Sequence, residues 1–166
     1  MSGIRDRPLL DALLDSWDRN NTIFVNLLRA LPADTLELRP AAGSPPLAEI
    51  FLHVHYTRLF FVSEDAPECA RPRPQGDWRS ERDVERMAEM LNESAQAVRD
   101  AVRGRVEAGR DMEVRYDHPL LMIQHLVWHE GYHHGAVKLA LKQAGRPFDD
   151  EAIGPLTWDV WMEKTK

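Results

Sequence analysis

The sequence predicts an all-α protein, an up-and-down type four-helix bundle with a packed C-terminal tail. Four long segments repeat apolar residues at three-four spacing, as helices with one buried face do. Stretches rich in proline and glycine separate these segments, and no pair of alternating segments offers the partners that a β-sheet needs. The 166 residues fit one domain, so we expect residues 1–166 to fold as a single unit.

The first and third helices are bounded by ordinary start and stop signals. The first helix is predicted from Pro8 to Leu31, because proline suits a first turn and Pro32 cannot continue a helix. The third helix is predicted from Ser80, which forms a capping-box-like pattern with Asp83, to about residue 106. Residues 112–116 alternate apolar and charged side chains, which allows a short extended piece.

The second helix is predicted to open with Ser44 as its cap and Pro45 in its first turn, and to run to about Ser63. It is apolar on nearly all sides, which is typical of a helix packed against several others. It carries His53 and His55, which are about 200° apart and cannot both face one site. Periodicity does not choose between them. The long loop that follows is either a lid over a site or a surface excursion.

The fourth helix is predicted from His118 to Gly145, and it carries three histidines spaced four apart, at His125, His129 and His133. Histidines at i and i+4 are neighbours on a helix, about 5–6 Å apart at Cβ, so their rings can converge on one ion. The competing interpretation is that each is a structural histidine bonded to a carbonyl or carboxylate. The histidines fall in the middle of the apolar stripe formed by Met122, Leu126, Ala136, Val137 and Ala140.

The C-terminal segment is too apolar for a disordered end, so we expect it to fold back onto the helices. For Trp128 and Tyr132 on the fourth helix we favour core or dimer packing over a role in a pocket, and a homodimer through an apolar helix face is left open. The apolar residues of the tail are Phe148, Ile153, Leu156, Trp158 and Trp161.

Composition excludes several classes of function. The net charge of −6 offers no basic excess for holding nucleic-acid phosphates. No stretch approaches 18 apolar residues, and the N-terminal segment lacks the apolar run of a signal peptide, so we expect no contact with a membrane. The single cysteine, Cys69, cannot form an intrachain disulfide. These features together predict a cytoplasmic location.

The string His129-Glu130-Gly131-Tyr132-His133 matches HExxH, the zinc-binding helix of metalloproteases, in which the glutamate is the general base. The glycine and histidine of the extended form are missing further along the helix. Glu130 also lies about 100° round the helix from His129, which weakens a role for Glu130 as a base. A metal-dependent hydrolase is therefore the less favoured alternative.

The order of segments resembles the DinB-like (YfiT-like) family of small four-helix metalloproteins. The resemblance covers nearly the whole chain: SPPLAEIFLHVHYTRLFF, a proline-rich loop, HLVWHEGYHHG and then KQAGRPF. Its most specific part is the HxxxHxG pattern of His129, His133 and Gly135. The family pattern implies a divalent ion, zinc or nickel, bound by one histidine of the second helix and two of the fourth. By that pattern the metal ligands are His53, His129 and His133, and His125 is a supporting or pocket residue.

The resemblance also implies a function, since characterised members include transferases and an isomerase that use low-molecular-weight thiols. We therefore expect a metal-dependent thiol S-transferase of the detoxification type that acts on a small-molecule substrate with a low-molecular-weight thiol as cosubstrate. The alternative is a metal-binding stress-response protein without turnover.

Overall fold

The computed structural model describes residues 7–162, and every regular element in this range is helical. Four long helices are followed by two helices of a single turn. None of the helices described combines the length and the apolar character that crossing a bilayer requires. The helices are α1 Arg7–Ala30, α2 Leu47–Asp65, α3 Val84–Glu107, α4 Pro119–Gln143, α5 Asp150–Ile153 and α6 Asp159–Met162.

Two predicted helix starts lie too early in the chain. Helix α2 begins at Leu47 rather than after Ser44, because a residue that precedes a proline avoids the helical conformation and two prolines follow Ser44. Helix α3 begins at Val84, and its cap is Asp83, whose carboxylate accepts a hydrogen bond from the backbone N–H of Arg86 at 2.8 Å. Ser80 instead ends a separate 3-10 turn.

Helix α4 has the predicted bounds to within two residues. The His118 side chain caps its start by accepting a hydrogen bond from the backbone N–H of Leu120, and Pro119 occupies the first turn. Gly145, just beyond its end, has a φ of 70°, a left-handed conformation that glycine adopts without a steric penalty.

The four long helices pack together, but they do not alternate up and down as predicted. Side-chain contacts between α1 and α3 run in opposite directions along the two helices, and so do those between α2 and α4. Contacts between α2 and α3 run in the same direction, so these consecutive helices are parallel. The contacts that define the directions are Arg29–Glu85 and Trp17–Ala95, then His53–His133 and Phe61–His125, then His55–Met90 and Arg58–Leu91.

The parallel pair explains the long connection over residues 66–83. A chain that leaves the end of α2 must return along its full length, about 28 Å, before α3 can start in the same direction. Local sequence patterns predict helices but not their directions, which is why the alternating order was wrong. The connection packs against α2 through Trp78, whose indole stacks on the ring of Tyr56 with centroids 5.0 Å apart.

A buried ion pair crosses the middle of the core. The guanidinium of Arg58 on α2 donates two hydrogen bonds to the Glu130 carboxylate on α4, each 2.7 Å long, and both side chains are essentially inaccessible to water. Arg58 also donates to the Asn21 side chain on α1 and to the carbonyl of Leu91 on α3. Asn20 on α1 donates to Glu130 at 2.6 Å. One network therefore joins all four long helices.

The tail packs back onto the helices only in part. Ile153 is 2% exposed and Phe148 packs at the edge of the core, as predicted. Leu156, Trp158 and Trp161 are each about 40% exposed, so they cover the surface rather than fill the interior.

The extended piece predicted over residues 112–116 is not a strand. These residues form a bend instead, and the carboxylate of Asp65 holds it by accepting the backbone N–H groups of Val114 and Arg115.

Breaking the buried ion pair should strongly destabilise the fold. We expect Glu130→Ala to lower the free energy of unfolding by about 3–5 kcal/mol, because it leaves the Arg58 charge buried without its partner. The double variant Arg58→Met/Glu130→Leu should recover most of that loss, since it removes both charges at similar volume. Urea unfolding followed by circular dichroism measures both.

The control is Glu85→Gln, which removes the exposed Arg29–Glu85 pair and should change stability little. A loss for Glu130→Ala no larger than that of the control would contradict this account of the core.

Candidate metal centre

Three histidine side chains from two helices converge at one point. His53 lies in the middle of α2, and His129 and His133 lie one turn apart on α4. The Nε2 atom of His129 is 3.3 Å from Nε2 of His53 and 3.1 Å from Nε2 of His133. One nitrogen from each ring can be chosen so that all three lie within 4.8 Å of one another. The antiparallel packing of α2 on α4 produces this convergence.

The spacing of these nitrogens suits a single cation. Zinc binds imidazole nitrogens at about 2.0–2.1 Å in tetrahedral geometry, which places two ligand nitrogens about 3.4 Å apart. The observed distances of 3.1 and 3.3 Å are close to that value. The residues present therefore fit a divalent ion that is held by three neutral imidazoles.

Electrostatics favours the neutral, metal-competent form of each ring. Burial, and then the neighbouring His53 and His125, lower the pKa of His129 to about 4. Burial and then the nearby imidazoles likewise lower the pKa of His133 to about 4. The pKa of His53, whose ring is only partly covered, is lowered by that partial burial and then by the guanidinium of Arg79. At neutral pH the rings can therefore offer lone pairs rather than positive charge.

The centre opens to solvent on one side. His53 is exposed, whereas His129 and His133 are half-buried. The fourth-helix histidines therefore lie at the edge of the buried face. The prediction that they lie in the middle of that face is wrong. The buried face of α4 is centred further round, on Ile123, Glu130 and Leu141.

The structure distinguishes His53 from His55, which periodicity could not do. His55 is 3% exposed, and its Nδ1 lies 2.6 Å from the carbonyl oxygen of Met90 on α3. Burial lowers its pKa. His55 is thus a structural histidine that faces away from the cluster, and His53 is the one that meets α4.

His125 lies beside the cluster but does not belong to it. Its Nδ1 lies 2.8 Å from the hydroxyl of Tyr116, and its ring centre is 6.4 Å from that of His129. The ring of Phe61 on α2 meets the same imidazole edge to face. Burial raises the pKa of Tyr116 to about 12, so the phenol keeps its proton at neutral pH. His125 and Tyr116 therefore form a polar pair next to the centre.

Glu130 cannot serve as the base that an HExxH hydrolase needs. Its carboxylate is 1% exposed and is fully engaged by Arg58 and Asn20. The helical turn that brings His129 and His133 together directs Glu130 into the core instead. The HExxH string is present, but its glutamate has a structural role.

Sequence reasoning missed several residues of the centre. The hydroxyl of Thr57, one turn after His53, lies 3.4 Å from His53 Nε2. Trp78 and Arg79 come from the loop after α2, where the Arg79 guanidinium lies over the indole at 4.6 Å. The sequence pattern places Tyr116 in a short extended piece and gives no sign that it lies beside the centre. The clearest missed signal was Arg58, a charge within an apolar helix, which predicts a buried acidic partner.

One of the three candidate ligands, His129, lacks the support that metal-binding histidines usually have. A second hydrogen bond from the ring to a carboxylate or carbonyl normally fixes its orientation. Nδ1 of His129 is buried and has no such partner among the described residues. The orientation of this ring is therefore set by the helix and by contact with the rings of His53 and His133.

A sequence model of the DinB family matches residues 6–150, which is most of the chain. The chain belongs to the DinB family. Comparisons with curated proteins and with solved structures give no significant match. The two histidine-bearing helices, α2 and α4, both lie within the matched range.

The lowered pKa values predict how the metal-free protein responds to acid. Between about pH 6.5 and pH 4 the unfolded chain binds protons at His129 and His133 while the folded chain does not. The free energy of unfolding should therefore fall as the pH falls through this range. Urea unfolding in the presence of a chelator at several pH values measures the slope.

The variant His129→Gln/His133→Gln should show a shallower slope, because two of the groups responsible are gone. Some slope should remain, since the pKa values of His53, His55 and His134 are also lowered. An identical slope in the variant and the original chain would show that these two histidines do not carry the effect.

Proposed function

We propose that this chain is a divalent-metal-dependent enzyme of the thiol S-transferase type, with His53, His129 and His133 as the metal ligands. The observation that carries the proposal is that one ring nitrogen of each histidine lies within 4.8 Å of the other two. His129 Nε2 lies 3.3 Å from Nε2 of His53 and 3.1 Å from Nε2 of His133, distances that suit one cation. Membership of the DinB family adds support, since the match includes both helices that provide the ligands.

Zinc or nickel is the proposed ion, because imidazole is a good ligand for both. Three protein ligands leave a coordination position open, unlike the four of a closed structural site. A cation bound there would lower the pKa of a thiol cosubstrate and so favour its nucleophilic thiolate at neutral pH.

The residues around the centre would bind and orient a small-molecule substrate. Tyr56 and Trp78 form a stacked aromatic wall beside His53, and the charge of Arg79 lies against it. On the other side, Phe61 and the His125–Tyr116 pair form a mixed apolar and polar wall. An apolar electrophile would pack on these rings, and Arg79 would favour a substrate that carries negative charge.

A metal-binding stress-response protein without turnover is the second candidate. The observation that favours it is the engagement of Glu130, the acidic residue next to the ligands in sequence, in the core network. No carboxylate is grouped with the three histidines in the part of the chain that the structure describes. A protein that only stores or senses an ion would need no such group.

Metal analysis of protein purified without a histidine tag tests the ion site. We expect close to one zinc or nickel per chain, and loss of most of it in His53→Ala and in His129→Ala. The matched control is His134→Gln, which changes the neighbour of a ligand on the same helix and should keep the metal. A metal content far below one per chain would contradict both candidates.

Turnover separates the two candidates. With a panel of low-molecular-weight thiols and monochlorobimane as the electrophile, the enzyme should form the fluorescent conjugate faster than the uncatalysed reaction. His129→Ala should abolish this excess rate, and His134→Gln should retain it. A full metal complement without any excess rate for any thiol would favour the protein without turnover.

A further inference from the structure

The exposed side of α4 carries a stripe of large apolar side chains that nothing in the described chain covers. Leu121 and Leu139 are each 48% exposed, Trp128 is 70% exposed and Tyr132 is 69% exposed. At 100° per residue the four fall within about 40° of one another, directly opposite the buried Glu130. Contiguous exposed apolar surface of this kind is typical of a protein–protein interface. We call it the α4 stripe.

Two glycines within the same helix point to a close approach by another backbone. Gly131 and Gly135 are exposed, four residues apart, and in the interior of α4. A Cβ added at either would meet nothing within 4 Å. Glycine destabilises a helix interior relative to alanine, so these glycines weaken the helix and satisfy no packing need within the described chain. Small residues at this spacing allow a second helix to pack closely.

The α4 stripe is nearly symmetric about residue 130. Counting outwards along the chain, Trp128 mirrors Tyr132, His125 mirrors Gly135 and Leu121 mirrors Leu139. The exposed fractions mirror one another as well, at 70% and 69% for the inner pair and 48% for both leucines. A two-fold axis through the centre of such a stripe pairs aromatic with aromatic and leucine with leucine.

We propose that α4 packs antiparallel against α4 of a second copy of this chain, through the α4 stripe. An interface with two-fold symmetry must be self-complementary, and the mirrored sequence supplies that property. Trp128 then lies against Tyr132 of the second copy.

Charge selects the antiparallel arrangement. Asp117 precedes α4 and Lys142 lies in its last turn, both are exposed, and neither forms an ion pair within the described residues. Antiparallel packing brings Lys142 of each copy next to Asp117 of the other. Parallel packing would bring like charges together at both ends. The stripe between the two ends carries no Lys, Arg, Asp or Glu.

The area is sufficient for a reversible dimer. Helix α4 has 25 residues and is about 37 Å long. Trp128 and Tyr132 together would remove about 300 Å² from water on each copy. A standard interface buries about 800 Å² per partner, so the two aromatic residues alone supply more than a third of it. We therefore expect a dimer that dissociates on dilution.

This interface borders the metal centre. The ring of Tyr132 lies 5.2 Å from that of His133, and the ring of Trp128 lies 6.4 Å from that of His125. The second copy would thus form one side of the entrance to each centre. The interface itself does not depend on a bound metal.

Sedimentation equilibrium of the full chain over a range of concentrations tests the dimer. We expect dissociation on dilution, and a dissociation constant raised at least tenfold by Leu139→Arg. The matched control is Val114→Arg, since Val114 is 64% exposed but lies outside the α4 stripe. A chain that stays monomeric up to about 1 mM, or equal effects of the two variants, would overturn the proposal.

A glycine substitution gives a second test, in which the thermal midpoint shows whether a loss of dimer is due to misfolding. Gly135 lies about 40° from the centre of the α4 stripe. Gly135→Leu should leave the thermal midpoint of the dilute monomer unchanged or raise it, because the added side chain meets open space and favours the helix. The same variant should abolish dimer formation. A Gly135→Leu chain that dimerises as well as the original would overturn the close approach of the two helices.

Crosslinking tests the direction of packing. Leu121→Cys and Leu139→Cys are each made in a Cys69→Ser background and treated with a short bismaleimide. A crosslinked dimer should form when the two variants are mixed, and neither variant alone should form one. Crosslinking of either variant alone, or of no sample, would overturn the antiparallel arrangement.

Discussion

The buried pair of Arg58 and Glu130 is the constraint on which the rest of the structure depends. A charge in the interior is costly unless its partners are held in good geometry, and here the carboxylate and guanidinium meet through two short hydrogen bonds. A shift of α2 against α4 by even one residue would separate them. The same two helices carry the metal-centre histidines, so the pair also sets the distance between His53 and the two histidines of α4.

That constraint also decides how the HExxH string is to be understood. In a helix, the residue after a histidine points about 100° away from it, so two histidines at i and i+4 can share a site that the glutamate between them does not reach. In this chain the Glu130 side chain points into the core, where Arg58 and Asn20 bind its carboxylate. The motif matches by sequence, but the acidic residue stabilises the fold instead of acting on a substrate.

Much of the fold was predictable because its signals are local. Prolines and apolar periodicity predict four long helices, and the i, i+4 spacing predicts that His129 and His133 share a face. Helix direction was not predictable, because the pattern of a helix is the same whichever way the helix runs. The choice between His53 and His55 was equally out of reach of periodicity, since α2 is apolar on nearly every side and both positions suit a buried face. The family resemblance, not the pattern, pointed to His53.

The three histidines face solvent on one side, and this exposure is the feature that would allow a reaction at the centre. A structural zinc site is closed by four protein ligands, whereas three histidines at a solvent-facing edge leave room for another molecule. The core network makes this edge possible, because Arg58 and Glu130 already hold α2 and α4 together without help from an ion. An ion at the histidines is therefore not needed to close the fold. In the proposed function, such an ion would be free to bind a ligand lying between the aromatic pair of Tyr56 with Trp78 and that of Phe61 with Tyr116.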